Sequence, residues 1–273
     1  MRAQRKGGHE AWVATTAAHA GDKAVRLGQS DSVGSDLSDL IQSYQIDVVH
    51  FHALAKELQC SVSLAGFASV AHVRGAHHGE AADAVNTIYV SKRHAVSHGA
   101  KVYVYNGIDV EAMPFEAHPA PYLAFLGKVR RSKKGADTAV AVAKRTGRQL
   151  QVVGGRKFSI PQTWMPLQRG VKALGVLGGQ KKLAVLAHAS ALLFPIRWEE
   201  PFGLVLIEAM ACGTPVIAFD RGAVPEIVRD GVTGFVVKDF QGMCDAVDRI
   251  DEIDRAACRR HVAEHFSIDR TAA

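Results

Sequence analysis

Short runs rich in β-branched and aromatic residues alternate along this chain with stretches whose apolar positions recur at helical spacing. In the first part AWVAT, IDVVHF, SVAHV, TIYV and KVYVY read as strands. SDLSDLIQSYQ, LAKELQCSVSLAG and SKRHAVSHG read as helices or helical connections, with Ser35 and Asp36 as candidate N-caps for the first. After NGID the periodicity loosens into VEAMPFEAHPAP, a Pro-containing segment that serves as a linker. The alternation then resumes. YLAFLG, LQVVG, VKALGV, SALLFP, PVIAFD and GFVV are strands, with helices from Ala136, near 180–188 and near 203–212. Strands alternating with helices imply a parallel sheet covered on both faces, and two such series imply two doubly wound domains, residues 1–115 and 116–273. Sheets of this kind bind ligands at the carboxyl ends of their strands, and two of them facing each other leave a cleft.

Composition narrows the class. The chain has 273 residues, 48% hydrophobic and 22% charged, which is the balance of a globular protein with a sizeable core. No run of about eighteen apolar residues exists, and MRAQRKGGHEAWV carries no apolar stretch of the secretory kind. Cys60, Cys212, Cys244 and Cys258 are scattered, which fits reduced structural thiols and a cytoplasmic setting. The net charge of +6 is uneven: 10 Lys and Arg against 11 Asp and Glu over 1–115 (net −1), and 23 against 16 over 116–273 (net +7). A basic second half favours an anionic ligand. Its densest cluster, KVRRSKK at 128–134, lacks interleaved aromatics for base stacking, so nucleic acid is disfavoured.

The stretch WEEPFGLVLIEAM, residues 198–210, carries the chemistry. SALLFP is a buried strand, IRWEEP the loop leaving its carboxyl end, and GLVLIEAMAC a helix stopped by Gly213 with Pro215 beyond. Glu200 thus precedes a helix N-terminus at the ligand end of the sheet, where free N–H groups and the positive dipole end suit an anion. Glu208 lies eight residues on, about 12 Å along the axis of a helix spanning both. Paired glycosidase carboxylates stand about 5–9.5 Å apart, so two contacts on one elongated ligand fit better than a hydrolytic dyad. The plain alternative makes Glu199 and Glu200 solvated loop charges and Glu208 a surface residue. Leu204, Val205 and Ile207 leave little polar face around Glu208.

EPFGLVLIEAMACGTPVIA resembles the E-x(7)-E signature of glycosyltransferase family 4, the retaining GT-B enzymes that use nucleoside-diphosphate sugars. IDVVHFH, YVSKRHA, YNGID, FLGKVRRSKKGAD, VVGG, VKALGV and AVPEIVRDGVTGFVV follow the family's order, over about residues 9–270. The resemblance implies an α/β, GT-B fold with two Rossmann-like domains: an acceptor side over 1–115 and a donor-binding domain over 116–273. It implies that Glu200 touches sugar hydroxyls and orients the reacting centre, that Glu208 holds the ribose hydroxyls, and that the amides of Phe202, Gly203 and Leu204 face the diphosphate and sugar. The family's phosphate pair falls on Lys128 and Lys134; fixed cations there stabilise the departing diphosphate without a metal. Lys128 stands where Arg is commoner, which removes a bidentate grip. Gly154 and Gly155 let backbone approach the nucleotide or form a turn, and Ala173 and Leu174 match the segment that meets the base.

The histidines stay open. His50 and His52 share one strand face and could begin a metal site, but the later histidines (His118, His188, His261, His265) fall at no strand ends, so a metal-dependent hydrolase is disfavoured. His72, Arg74, His77 and His78 follow a strand where family 4 enzymes keep a His near acceptor and sugar; solvated loop residues are the equal alternative. The family pattern also begins one strand, one Gly-rich loop and one helix before KGGHEAWVAT, so a reduced N-terminal domain is expected, its open side closed by a second copy of the chain or by a membrane surface. The resulting expectation is a metal-independent hexosyltransferase with no cofactor, a UDP-, GDP- or ADP-sugar donor and a small-molecule, glycan or lipid-linked acceptor. A non-catalytic nucleotide-sugar-binding protein is the alternative, and a GT-B phosphorylase or epimerase a third.

Overall fold

The computed structural model describes residues 13–15, 24–26, 39–51, 68–73, 87–155 and 169–272. The chain divides into two compact units at Val104/Tyr105. In the first, β1 (Val13–Thr15) pairs in parallel with β2 (Ala24–Arg26), and β3 (Val48–Phe51), β4 (Ala68–Val73) and β5 (Thr87–Tyr89) form a parallel sheet in that order. Helix α1 (Lys92–Ser97) follows β5, capped by the Ser91 side chain accepting from the His94 amide at 3.1 Å. The strand read from KVYVY reduces to one bridge, Tyr103 to Tyr89, and β2 had no counterpart in the sequence reading. LAKELQCSVSLAG, Ser35 and Asp36 lie outside the described residues.

The second unit holds a six-stranded parallel sheet, and its strands fall where the sequence places them. They are β6 (Tyr122–Leu126), β7 (Gln149–Val153), β8 (Val171–Gly175), β9 (Ala191–Phe194), β10 (Val216–Phe219) and β11 (Gly234–Val237). Every residue of β6 and β9 is buried, as continuous apolar runs in a sheet covered on both faces require. The spatial order is β11-β10-β9-β6-β7-β8. The chain therefore builds one half outward from β6, returns to the centre, and builds the other half outward from β9. The β6/β9 boundary is the point where a doubly wound sheet opens a crevice at its carboxyl edge. Around the sheet lie α2 (Ala136–Arg145), α3 (Gly179–His188), α4 (Leu204–Ala211), the short α5 (Val224–Ile227), α6 (Phe240–Asp248) and α7 (Arg255–His265). Helix α2 packs on α6, and α4 packs on α3 and α7.

The unit boundary precedes the 115/116 division expected from the sequence, because the Pro-containing segment is bound into the second unit. Arg259 on α7 donates to the Val110, Met113 and Ala211 carbonyls at 2.8, 3.0 and 2.8 Å. Arg255, 9% exposed, donates to the carbonyls of Glu116, Ala189 and Ala187 at 2.7, 2.9 and 2.6 Å and to Thr214 Oγ1 at 3.0 Å. A buried guanidinium thus replaces water for four oxygens on three segments. Its burial pulls the Arg255 pKa below the ordinary value. Cys212, Cys244 and Cys258 are buried free thiols; burial pushes Cys212 up to about 11 and Cys258 up to about 12. Cys60 lies outside the described residues. Replacement of Arg255 by Met should cost about 2–4 kcal/mol of stability, because several buried acceptors lose their donor at once. Urea denaturation followed by circular dichroism measures this, and a loss under about 0.5 kcal/mol would show that water or rearrangement supplies the donors.

Candidate functional site

The loops leaving β6 and β9 meet at the switch point. After β6 the chain passes Lys128, which is exposed, and reaches a 3₁₀ turn, Ser132–Lys134, before α2. After β9 it runs through Arg197, Trp198, Glu199 and Glu200 to α4. Lys134 Nζ reaches Glu200 Oε2 at 2.7 Å, with side chains 21% and 13% exposed. The two residues expected to act on the diphosphate and the sugar therefore share one half-buried ion pair, which gives Lys134 a partner within the fold as well. Glu200 is held by its main chain too: the Ala223 amide donates to the Glu200 carbonyl at 2.9 Å. The Gly222 amide donates to Glu199 Oε2 at 2.7 Å, so the exposed Glu199 also braces the loop.

Helix α4 starts after Gly203, whose φ of 90° is left-handed and which supplies no side-chain cap. By contrast Asp239 and Asp254 cap α6 and α7, accepting from the Gly242 and Ala256 amides at 2.9 and 2.8 Å. The Leu206 amide turns back to the Gly203 carbonyl at 2.9 Å, and helix geometry leaves the Leu204 and Val205 amides to an acceptor outside the helix. Leu204 opens the helix with its side chain 50% exposed, while Phe202 is 3% exposed. The Phe202 ring sits against Tyr105 and Phe266, centroids 6.1 and 5.9 Å away, so it anchors the loop from below. The helix closes as its sequence suggests: the Gly213 and Thr214 amides donate back to the Met210 and Ala209 carbonyls at 2.9 Å.

Glu208 emerges from α4 half-buried, and its partner is Lys182 on α3, Nζ to Oε1 2.6 Å with side chains 26% and 19% exposed. Glu200 lies in the loop before α4, so no single helix axis spans the two glutamates. At the other half of the sheet a β-bulge pairs Val152 with Ala173 and Val153 with Gly175, leaving Leu174 as the extra residue. Gly154 has φ 116°, and a Cβ there would overlap the Gly127 carbonyl oxygen. Its glycine is demanded by the approach of the β6 and β7 loops, whatever the ligand. His72 lies in β4, in register with Ile88. Arg74, His77 and His78 lie outside the described residues, as does His52.

Sequence reasoning missed Lys182, Lys133, Arg197 and Trp198. Lys182 meets Glu208 only through the packing of α3 on α4, which no local spacing encodes. Trp198 did carry a signal, a large aromatic two residues before Glu200 in a loop at the ligand end.

Comparison with known proteins follows this geometry. Residues 120–252 match the family described as glycosyl transferases group 1. The D-inositol 3-phosphate glycosyltransferase of Mycobacterium tuberculosis is 34% identical over 138 residues, 47% of this chain and 29% of that protein. The chain thus spans less than a third of the length of that relative. Among solved structures, AviGT4, a glycosyltransferase involved in avilamycin A biosynthesis, superposes with a TM-score of 0.77 at 22% identity, covering 99% of this chain and 84% of that one. HepE of Anabaena, solved with UDP and glucose, gives 0.71 at 17% identity, covering 91% and 83%. At these identities the likeness carries the fold, and the α/β, GT-B class expected from the sequence holds. Residues 120–252 match the group 1 glycosyltransferase family, and the resemblance read from the E-x(7)-E block is borne out there.

A double-mutant cycle on Lys182→Ala and Glu208→Ala should give a coupling energy of about 1–2 kcal/mol in chemical denaturation, above the exposed-pair range because both groups are half-buried. Coupling below about 0.3 kcal/mol would make the contact incidental.

Proposed function

We propose that the protein is a retaining glycosyltransferase that moves a hexose from a nucleoside-diphosphate sugar to an acceptor hydroxyl, using fixed cations and no essential metal. The observation that carries the reading is the meeting of Lys134 and Glu200 at the switch point of the sheet, beside the uncapped start of α4. Lys128 and Lys134 would neutralise the diphosphate, and the first-turn amides of α4 would donate to its oxygens. Glu208 would accept from the ribose hydroxyls and Glu200 from the sugar hydroxyls. In the transfer the bond between the sugar's anomeric carbon and the phosphate oxygen breaks, and the acceptor oxygen bonds to that carbon on the same face. The acceptor proton passes to the departing diphosphate. Ala173 and Leu174, at the bulge, would line the base.

That HepE was solved with UDP and glucose makes UDP-glucose the first donor to try. The M. tuberculosis relative makes D-inositol 3-phosphate a first acceptor to try beside glycans and lipid-linked sugars. Among the described residues no helix is long and apolar enough to cross a membrane. Dimerisation and peripheral membrane contact belong to this reading, and light scattering with liposome sedimentation addresses them.

Glu208→Ala should weaken free nucleotide binding about tenfold or more, since the ribose loses a charged acceptor. Glu200→Gln should instead lower kcat about a hundredfold or more with nucleotide affinity nearly unchanged. Calorimetry and a labelled-donor assay separate the two effects. Equal nucleotide affinity in Glu208→Ala and the native protein would remove the ribose assignment, and nucleotide-sugar binding without turnover for any acceptor would leave only a binding protein.

Chelation should leave transfer intact. Loss of activity in EDTA, restored by a divalent ion, would overturn the metal-free mechanism.

A further inference from the structure

The turn that carries Lys134 also carries Lys133, and both ammonium groups lie over one indole. Lys133 Nζ stands 3.8 Å and Lys134 Nζ 4.8 Å from the centre of the Trp198 ring. Adjacent residues of a 3₁₀ turn project about 120° apart, and two like charges repel, so neither geometry nor charge would bring these lysines together unaided. The π face attracts both. The loop grips the turn in other ways as well. The Arg197 amide donates to the Lys133 carbonyl at 2.8 Å, and the Arg197 guanidinium donates to Asp137 Oδ2 at 2.6 Å and Thr138 Oγ1 at 2.7 Å. Gly135, just after the turn, has φ 73°, and a Cβ there would overlap the Pro195 carbonyl oxygen. Turn and loop are thus locked backbone to backbone, with the indole as the side-chain element of the lock.

The two lysines differ in their other partners. Lys134 is paired with Glu200, whereas among the described residues no carboxylate lies within ion-pair distance of Lys133. Among the described residues Lys133 therefore has the Trp198 face but no carboxylate partner beside the switch point. The indole Nε1 is buried with no hydrogen-bond partner among the described residues. The ring is consequently held by packing and by the cations, not by its N–H.

We propose that Trp198 is a positioning residue that gathers Lys133 and Lys134 into a two-cation cradle for the donor's diphosphate, making Lys133 a further phosphate-binding cation. The inference rests on the nucleoside-diphosphate reading above. It predicts that the π face matters and the indole N–H does not. Phe at 198 keeps a face and removes a buried unpaired donor; Leu keeps apolar bulk and removes the face.

Calorimetric titration with UDP, GDP and ADP, each beside its own nucleoside, isolates the phosphate contribution as a ratio of affinities. Trp198→Leu should lower the diphosphate-to-nucleoside ratio about fivefold to tenfold with nucleoside affinity unchanged, while Trp198→Phe stays within about twofold of the native ratio. Lys133→Met should lower the ratio in the same direction. Equal ratios in the Leu and Phe variants, whether both kept or both lost, would reduce Trp198 to packing and overturn the proposal. An unchanged ratio in Lys133→Met would overturn the role of Lys133 even if the Leu variant failed to fold. Failure of the native protein to bind any of the three diphosphates would instead overturn the donor reading, and the cradle with it.

Discussion

The ion pair between Lys134 and Glu200 is the contact on which the candidate site depends, and it exists because β6 and β9 are neighbours. Sixty-six residues separate the two partners in sequence. Only a sheet that winds outward from its centre in both directions brings the loop after its first strand beside the loop after its fourth. A half-buried pair of this kind has a modest net effect on stability, since desolvation offsets most of the Coulomb attraction. Its consequence lies elsewhere. Removing either partner leaves a half-buried charge exposed to its own desolvation cost, so each fixes the geometry of the other. The loop that carries Glu200 is further pinned by the Ala223 amide above and the Phe202 ring below.

How much of this was legible in the sequence depends on whether the determinant is local. The strands of the second unit are continuous apolar runs between Gly, Pro and polar stretches, and periodicity finds them. The stop of α4 at Gly213 is equally local. VEAMPFEAHPAP has neither period, and its place in the second unit is fixed by Arg255 and Arg259, nearly 150 residues away. A sequence shows that these arginines lie on a helix but not which carbonyls they will meet. In the same way Glu208 could be marked as an anomaly on an apolar helix, yet its resolution by Lys182 required the packing of α3 on α4. In the first unit KVYVY has strand composition, but among the described residues only Tyr103 of it forms a bridge, to Tyr89 at the end of β5.

The glycines at the site separate two causes that a motif merges. Gly154 belongs to the segment that the family pattern associates with nucleotide approach, but the atom a side chain there would strike is the Gly127 carbonyl of this chain. Gly203 meets a different demand, since its left-handed backbone starts α4 at the loop's end and leaves the first-turn amides without a side-chain cap. A substitution at the first position acts through the fold, and one at the second acts through the fold and, under the proposed function, through the anion site as well.

Two cations of the candidate site are already paired within the chain, and that constrains what can bind there. Lys134 and Lys182 each hold a glutamate, at 2.7 and 2.6 Å. An anion that offered only phosphate would compete with Glu200 for Lys134 and leave the carboxylate facing a like charge, which costs more in a half-buried setting than in water. A ligand that offered only hydroxyls would satisfy the glutamates and leave the cations where they are, gaining little beyond what the ion pairs already supply. A molecule that carries phosphates flanked by hydroxyl-bearing rings meets both demands at once. The carboxylates accept from its hydroxyls while the ammonium groups turn to its phosphates, so the exchange preserves every charge-assisted contact. Under the proposed function the internal pairs would favour the combination of groups that a nucleoside-diphosphate sugar presents.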